Sequence, residues 1–225
     1  MLPADIPEFK NYTNVDAFIG QHLSMQFGDI RSMMRLPLPA LGIGHACNFA
    51  ASATLCNMIS GISVSLFIPM NPTTTDKKGK KHWIGTGDAF KRLLEDFYPW
   101  SVGENGTDMA KVLYDLFRNP FAHALGVYSA AHYQIKITRM ILKNSDGEAT
   151  GLEDKQLEEI EKSPTRPPWL SSGLSGSGNQ WNLLVEGFYR DVFHMLWNLA
   201  KDSSQMINAE KRFSKGTIIW RQGKP

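Results

Sequence analysis

Two cysteines, Cys47 and Cys56, are all the thiols in a chain of 225 residues. Nine residues apart on a predicted helix, they project about half a turn from each other. They therefore neither bridge one another nor supply a four-ligand zinc site, which excludes a disulfide scaffold and fits a reducing cytoplasm. An excess of one charge is also missing. Lys and Arg number 24 against 22 Asp and Glu, a formal charge of +2, so any nucleic-acid role has to come from a local patch and not from the overall field. The opening "MLPADIPEFK" carries acids and prolines where a secretory signal has a basic start and an apolar run. The chain contains no HExxH, clustered-cysteine, GxSxG or P-loop pattern and no internal repeat of useful length.

From Leu36 to Thr75 there is no Lys, Arg, Asp or Glu at all. Within that interval "FAASATLCNMISGISVSLFI" has the length of a membrane span. A span needs roughly 20 predominantly apolar residues, whereas His45, Asn48, Ser52, Thr54, Asn57, Ser60, Ser63 and Ser65 put polar groups on every turn. The expectation is a buried central helix and no membrane association.

What is present reads as helices. Apolar residues at helical spacing mark 15–34, about 45–66, 89–98 and 108–118. A further helix is expected from Pro120 to about Lys143, a short acidic one over "LEDKQLEEIEK", and a long one over 181–203. Asp88 and Thr107 are read as N-caps. The stretch 69–87, of Pro, Gly and polar residues with a basic knot, and the Gly/Ser/Pro stretch 163–179 read as loops; only "TIIW" in the tail looks β-like. The predicted fold class is all-α: an N-terminal extension with one helix (1–44), a helical bundle (45–205) and a basic C-terminal tail (206–225).

One stretch carries recognisable chemistry, "LFRNPFAHALG" at 116–126. Pro120 disfavours the α conformation at Asn119 and cannot donate an intrahelical bond. Asn is a good N-cap and Pro a favoured first helical residue. The local grammar thus predicts a helix ending near Arg118 and a new one opening at Asn119–Pro120. In an unbroken helix Arg118 and His123 stand about 140° apart, and the expected break lets them converge. A helix N-terminus, a guanidinium fork and an imidazole suit a phosphodiester.

"RNPFAH" resembles the R-x4–6-H motif of the HEPN superfamily, with the polar residue, here Asn119, that typically follows the arginine. The similarity covers the motif and roughly residues 45–142. It implies a small α-helical bundle, often a homodimer whose motif residues from two protomers form a composite site. It also implies a metal-independent endoribonuclease of a toxin or defence system, with RNA as substrate, no cofactor, and an antitoxin or other regulatory protein as a possible partner. By that resemblance Arg118 and His123 are catalytic and Asn119 supports them. Family toxins regulated by AMPylation carry a tyrosine two residues after the histidine; this chain has Leu125 there, and Tyr128 is out of register. The alternative is a HEPN-like helical binding or dimerisation protein without catalysis, in which Arg118 caps a helix end and His123 packs locally.

A second, weaker signal is "KKGKKHW" at 77–83. Lys77, Lys78, Lys80 and Lys81 attract phosphates and Trp83 offers a face for a base; a solvated loop tip is the plainer reading. Arg190 and His194 share a face of the last long helix, as core residues commonly do.

Overall fold

The computed structural model describes residues 1–36, 46–68, 73–75, 77–123, 133–140, 142–143 and 145–215. Two 3₁₀ turns, Pro3–Asp5 and Pro7–Asn11, lead into α1 (Thr13–Phe18), which passes through a π turn at Ile19–Leu23 into α2 (Ser24–Arg35). The charge-free stretch forms α3 (Ala46–Ser65). A hairpin of β1 (Thr73–Thr75) and β2 (Lys81–Trp83) precedes α4 (Thr86–Phe97). Then come α5 (Gly106–Val112), a π turn at Leu113–Arg118 and α6 (Asn119–His123). After β3 (Gln134–Thr138) and the small hairpin β4 (Leu142–Lys143) and β5 (Ala149–Thr150), the chain enters α7 (Asp154–Lys162). It then crosses β6 (Leu174–Ser177) and β7 (Gln180–Leu184) and ends its described part in α8 (Val185–Lys201) and α9 (Ser203–Ser214).

The fold is mainly helical around α8, which packs against α3, α4, α7 and α9. Its apolar residues Val185, Phe188, Tyr189, Val192, Phe193, Leu196 and Leu199 are all buried. Ile6, Phe9, Ile19, Phe27 and Ile30 from the N-terminal segment join the same core. That segment is also tied to the far end of the chain: the Glu210 carboxylate on α9 accepts the backbone N–H groups of Asn14 and Val15, each at 3.0 Å, at the start of α1. Helix ends follow local chemistry. The Asn105 side chain caps α5 by accepting from Thr107 N–H at 3.1 Å, and Asp202 caps α9 through Ser204 and Gln205. Asp88 lies inside the first turn of α4, whose N-cap is Gly85.

Two expectations of helix are corrected. Residues 134–138 form a strand parallel to β7, with Gln134 opposite Gln180 and Thr138 opposite Leu184. β6 pairs with β7 antiparallel, completing a sheet of order β3-β7-β6. Ile135 and Ile137 alternate with polar residues, a period of two that suits a strand. The 163–179 stretch is only partly loop, because Gly178–Asn179 makes a two-residue hairpin turn with Gly178 at φ 57°. Gln180–Leu184 extend from that turn as β7, and the helix expected from Trp181 starts only at Val185. The fold is therefore mainly helical with a small three-stranded sheet, not all-α. The β-like "TIIW" lies outside the described residues.

Candidate functional site

The expected break at Asn119–Pro120 is not there. Asn119 is right-handed helical, φ −66° and ψ −46°, and its N–H donates to Tyr114 O, five residues back. Pro120 has no N–H and its ring conflicts with the carbonyl four residues earlier. The wider π turn over Leu113–Arg118 absorbs that misfit without stopping the helix. Gly106 to His123 thus run as one helical rod, so positions 118 and 123 stay about 140° apart around it. The helix N-terminus expected beside the motif is absent with the break. His123 ends α6, and its side chain lies outside the described residues.

Arg118 is half-buried against the middle of α3. Its Nε donates to Ser60 Oγ at 3.1 Å, and its guanidinium lies over the Tyr114 ring, 5.4 Å from the centroid. Ser60 Oγ–H itself donates to Cys56 O at 3.0 Å, so the hydroxyl proton is spent on its own helix and a lone pair faces Arg118. Among the described residues this is the one hydrogen bond of the guanidinium; both Nη groups have no described protein partner. Burial pushes the Cys56 thiol well above its ordinary value, and the nearby Arg118 charge opposes that shift. Asn119 is exposed.

Tyr114 joins Arg118 to the start of α4. Its ring lies 5.5 Å from Phe90 and takes Lys91 Nζ at 5.6 Å. A Cβ on Gly87 would collide with the Tyr114 hydroxyl, so glycine is what allows the start of α4 to lie on this ring. Gly87 follows β2 by only four residues. In the hairpin Lys77, Lys78, Lys80, Lys81 and Trp83 are exposed, Trp83 to 70%. Lys81 and Trp83, two apart on β2, share one face of the ribbon. Ser60, Tyr114, Gly87 and Lys91 were not singled out from the sequence. Of these only Tyr114 had a local signal, four residues before Arg118 on the same helix.

Two buried carboxylates elsewhere are engaged by several donors each. Glu161 accepts from the Met1 ammonium at 2.8 Å, Arg31 Nη1 at 2.9 Å and Tyr189 Oη at 2.7 Å. Asp191 accepts from Arg166 Nη2 at 2.7 Å, Gly173 N at 3.0 Å and Tyr98 Oη at 3.2 Å. Burial raises Asp191 to about 6 despite the cations beside it. His194, expected as a core residue, donates from Nε2 to Ile160 O at 3.1 Å, and burial lowers it to about 4. A surface cleft of about 350 Å³ lies apart from Arg118, between β4–β5, α7 and Trp169. The stretch Cys47–Ser65 is long and apolar enough to cross a membrane, and half of it is buried within the protein.

Compared with family models, curated proteins and solved structures, the chain matches none.

Proposed function

We propose that this chain is a cytoplasmic, homodimeric endoribonuclease of HEPN type, acting as a toxin or defence component. The observation that carries the reading is the state of Arg118. Ser60 fixes the guanidinium through Nε, and both Nη groups are left without a described partner. A fork held at its stem with its tips unspent is suited to two phosphate oxygens. In the reaction the RNA 2′-oxygen bonds to the adjacent phosphorus and the bond from phosphorus to the 5′-oxygen breaks. His123 takes the 2′-hydroxyl proton, a proton is returned to the leaving 5′-oxygen, and Arg118 stabilises the added negative charge. In this reading Asn119, which is exposed, orients the strand.

The unbroken helix bears on the dimer. With positions 118 and 123 on different faces of one rod, a second copy is the natural source of the complementary histidine. Replacing Arg118 or His123 by Ala is expected to lower RNA cleavage at least about 100-fold while circular dichroism and thermal unfolding stay close to wild type. The products should carry 2′,3′-cyclic phosphate and 5′-hydroxyl ends. Cleavage by pure His123→Ala at the wild-type rate ends this proposal.

The Ser60 and Tyr114 contacts of Arg118 favour a second reading, a non-catalytic helical protein that dimerises or holds a partner. There Arg118 is a staple between helices. That reading predicts a folded protein that leaves RNA intact, with Arg118→Ala lowering stability and changing nothing else.

A further inference from the structure

We propose that the β1–β2 hairpin is an arm for unpaired RNA that leads a single strand toward Arg118; the second half of this statement rests on the ribonuclease reading, the first does not. Each strand of the hairpin is three residues long. Two such strands alone are marginal as a stabilising element, and the described side chains of the ribbon, from Thr73 through Trp83, are exposed. A large indole held 70% open to water on such a ribbon contributes little to the core. What the ribbon does offer is four lysines between 77 and 81, with Lys81 and Trp83 on one face.

That pairing of a flat aromatic with phosphate-seeking ammonium groups matches a single strand, whose bases present open faces and whose backbone carries the charge. A duplex keeps its base faces stacked inside and offers Trp83 nothing to lie on. The arm is also aimed. Three residues of chain, a span of at most about 14 Å, separate Trp83 from Gly87, which lies against Tyr114. The Tyr114 ring carries Lys91 and Arg118 together. Lys91 is held by Asp88 at 2.9 Å, so the path for one strand runs from the hairpin along this short span of chain to the Arg118 guanidinium.

The test uses the whole protein and a fluorescein-labelled 2′-O-methyl oligouridylate, which lacks the attacking hydroxyl and reports binding alone. By anisotropy, wild type should bind it more tightly than a duplex of equal length. Trp83→Ala should weaken binding about tenfold with an unchanged salt dependence, and Trp83→Phe should restore most of the loss. Changing Lys77, Lys78, Lys80 and Lys81 together to Gln should flatten the slope of log affinity against log salt by about 3. Equal binding of duplex and single strand overturns the proposal, as does wild-type affinity in Trp83→Ala. So does loss of binding to anionic vesicles or to an acidic protein, but not to the oligonucleotide, in the lysine variant. If the hairpin variants lose binding while wild type fails to cut unblocked RNA, the arm stands and the ribonuclease reading falls.

Discussion

At the scale of single residues, two buried groups on α8 pull the acid stability of the protein in opposite directions. His194 is held neutral in the fold at about 4, against roughly 6.5 when unfolded. The unfolded chain therefore binds the extra proton first, and this residue removes stability as pH falls from about 6.5 to 4. Asp191, raised to about 6 in the fold, takes its proton before the unfolded chain does. Its contribution grows as pH falls from about 6 toward 4. Each effect is on the order of 1–2 kcal/mol between pH 7 and pH 5. His194→Gln should therefore gain about 2 kcal/mol relative to wild type on going from pH 7 to pH 5, read as a shift in urea midpoints. Asp191→Asn should instead lose about 1 kcal/mol over the same interval. The i,i+4 spacing of Arg190 and His194 was visible in the sequence. What it did not reveal was Arg166, which reaches Asp191 from a loop 25 residues away in the chain.

At the scale of elements, the helices were legible wherever apolar residues kept a 3–4 spacing and a breaker closed the run. The 15–34, 45–66 and 89–98 stretches correspond to α1–α2, α3 and α4 within a few residues. The strands were not, because β3 and β7 are short and each adjoins residues with an apolar helical rhythm. Pairing between residues 134–138 and 180–184 sets their state, and that partner is invisible in a local window. Gly178–Asn179, a hairpin signal by its own chemistry, was hidden inside a stretch read only as loop. The "RNPFAH" stretch stood out in the sequence and its geometry did not. A π turn is chosen by how a whole rod accommodates Pro120, not by Asn119 and Pro120 alone. Pro120→Ala restores a backbone donor and removes the ring, so it should stabilise the protein by about 1–2 kcal/mol, measured by urea unfolding. If instead it destabilises, the π turn is imposed by packing on α3.

At the scale of the whole molecule, one arginine joins three parts of the fold. Arg139, just past β3, bonds Glu186 at the start of α8 at 2.9 Å. It also donates to Met33 O and Met34 O at 3.0 and 2.6 Å, satisfying carbonyls in the last turn of α2. Glu186 is fully buried. Arg139→Leu therefore leaves a carboxylate buried without its cation and should cost about 3–5 kcal/mol in calorimetry or denaturant unfolding. A second change, Glu186→Leu, should recover part of that loss. None of this was visible in the sequence, since the three segments are separated by more than 40 residues each.

The carboxylate of Glu210 that holds the first turn of α1 also fixes when the protein can mature during synthesis. Its partners Asn14 and Val15 leave the ribosome almost 200 residues earlier, and the α8 side chains that cover Phe9 and Phe27 are translated late as well. Until then the N-terminal helices wait with their apolar sides uncovered. Long-range closure of this kind slows folding and exposes the nascent chain to aggregation. A chain stalled short of α9 should be cut readily by protease within residues 13–35, and protection should appear only once α9 has cleared the exit tunnel.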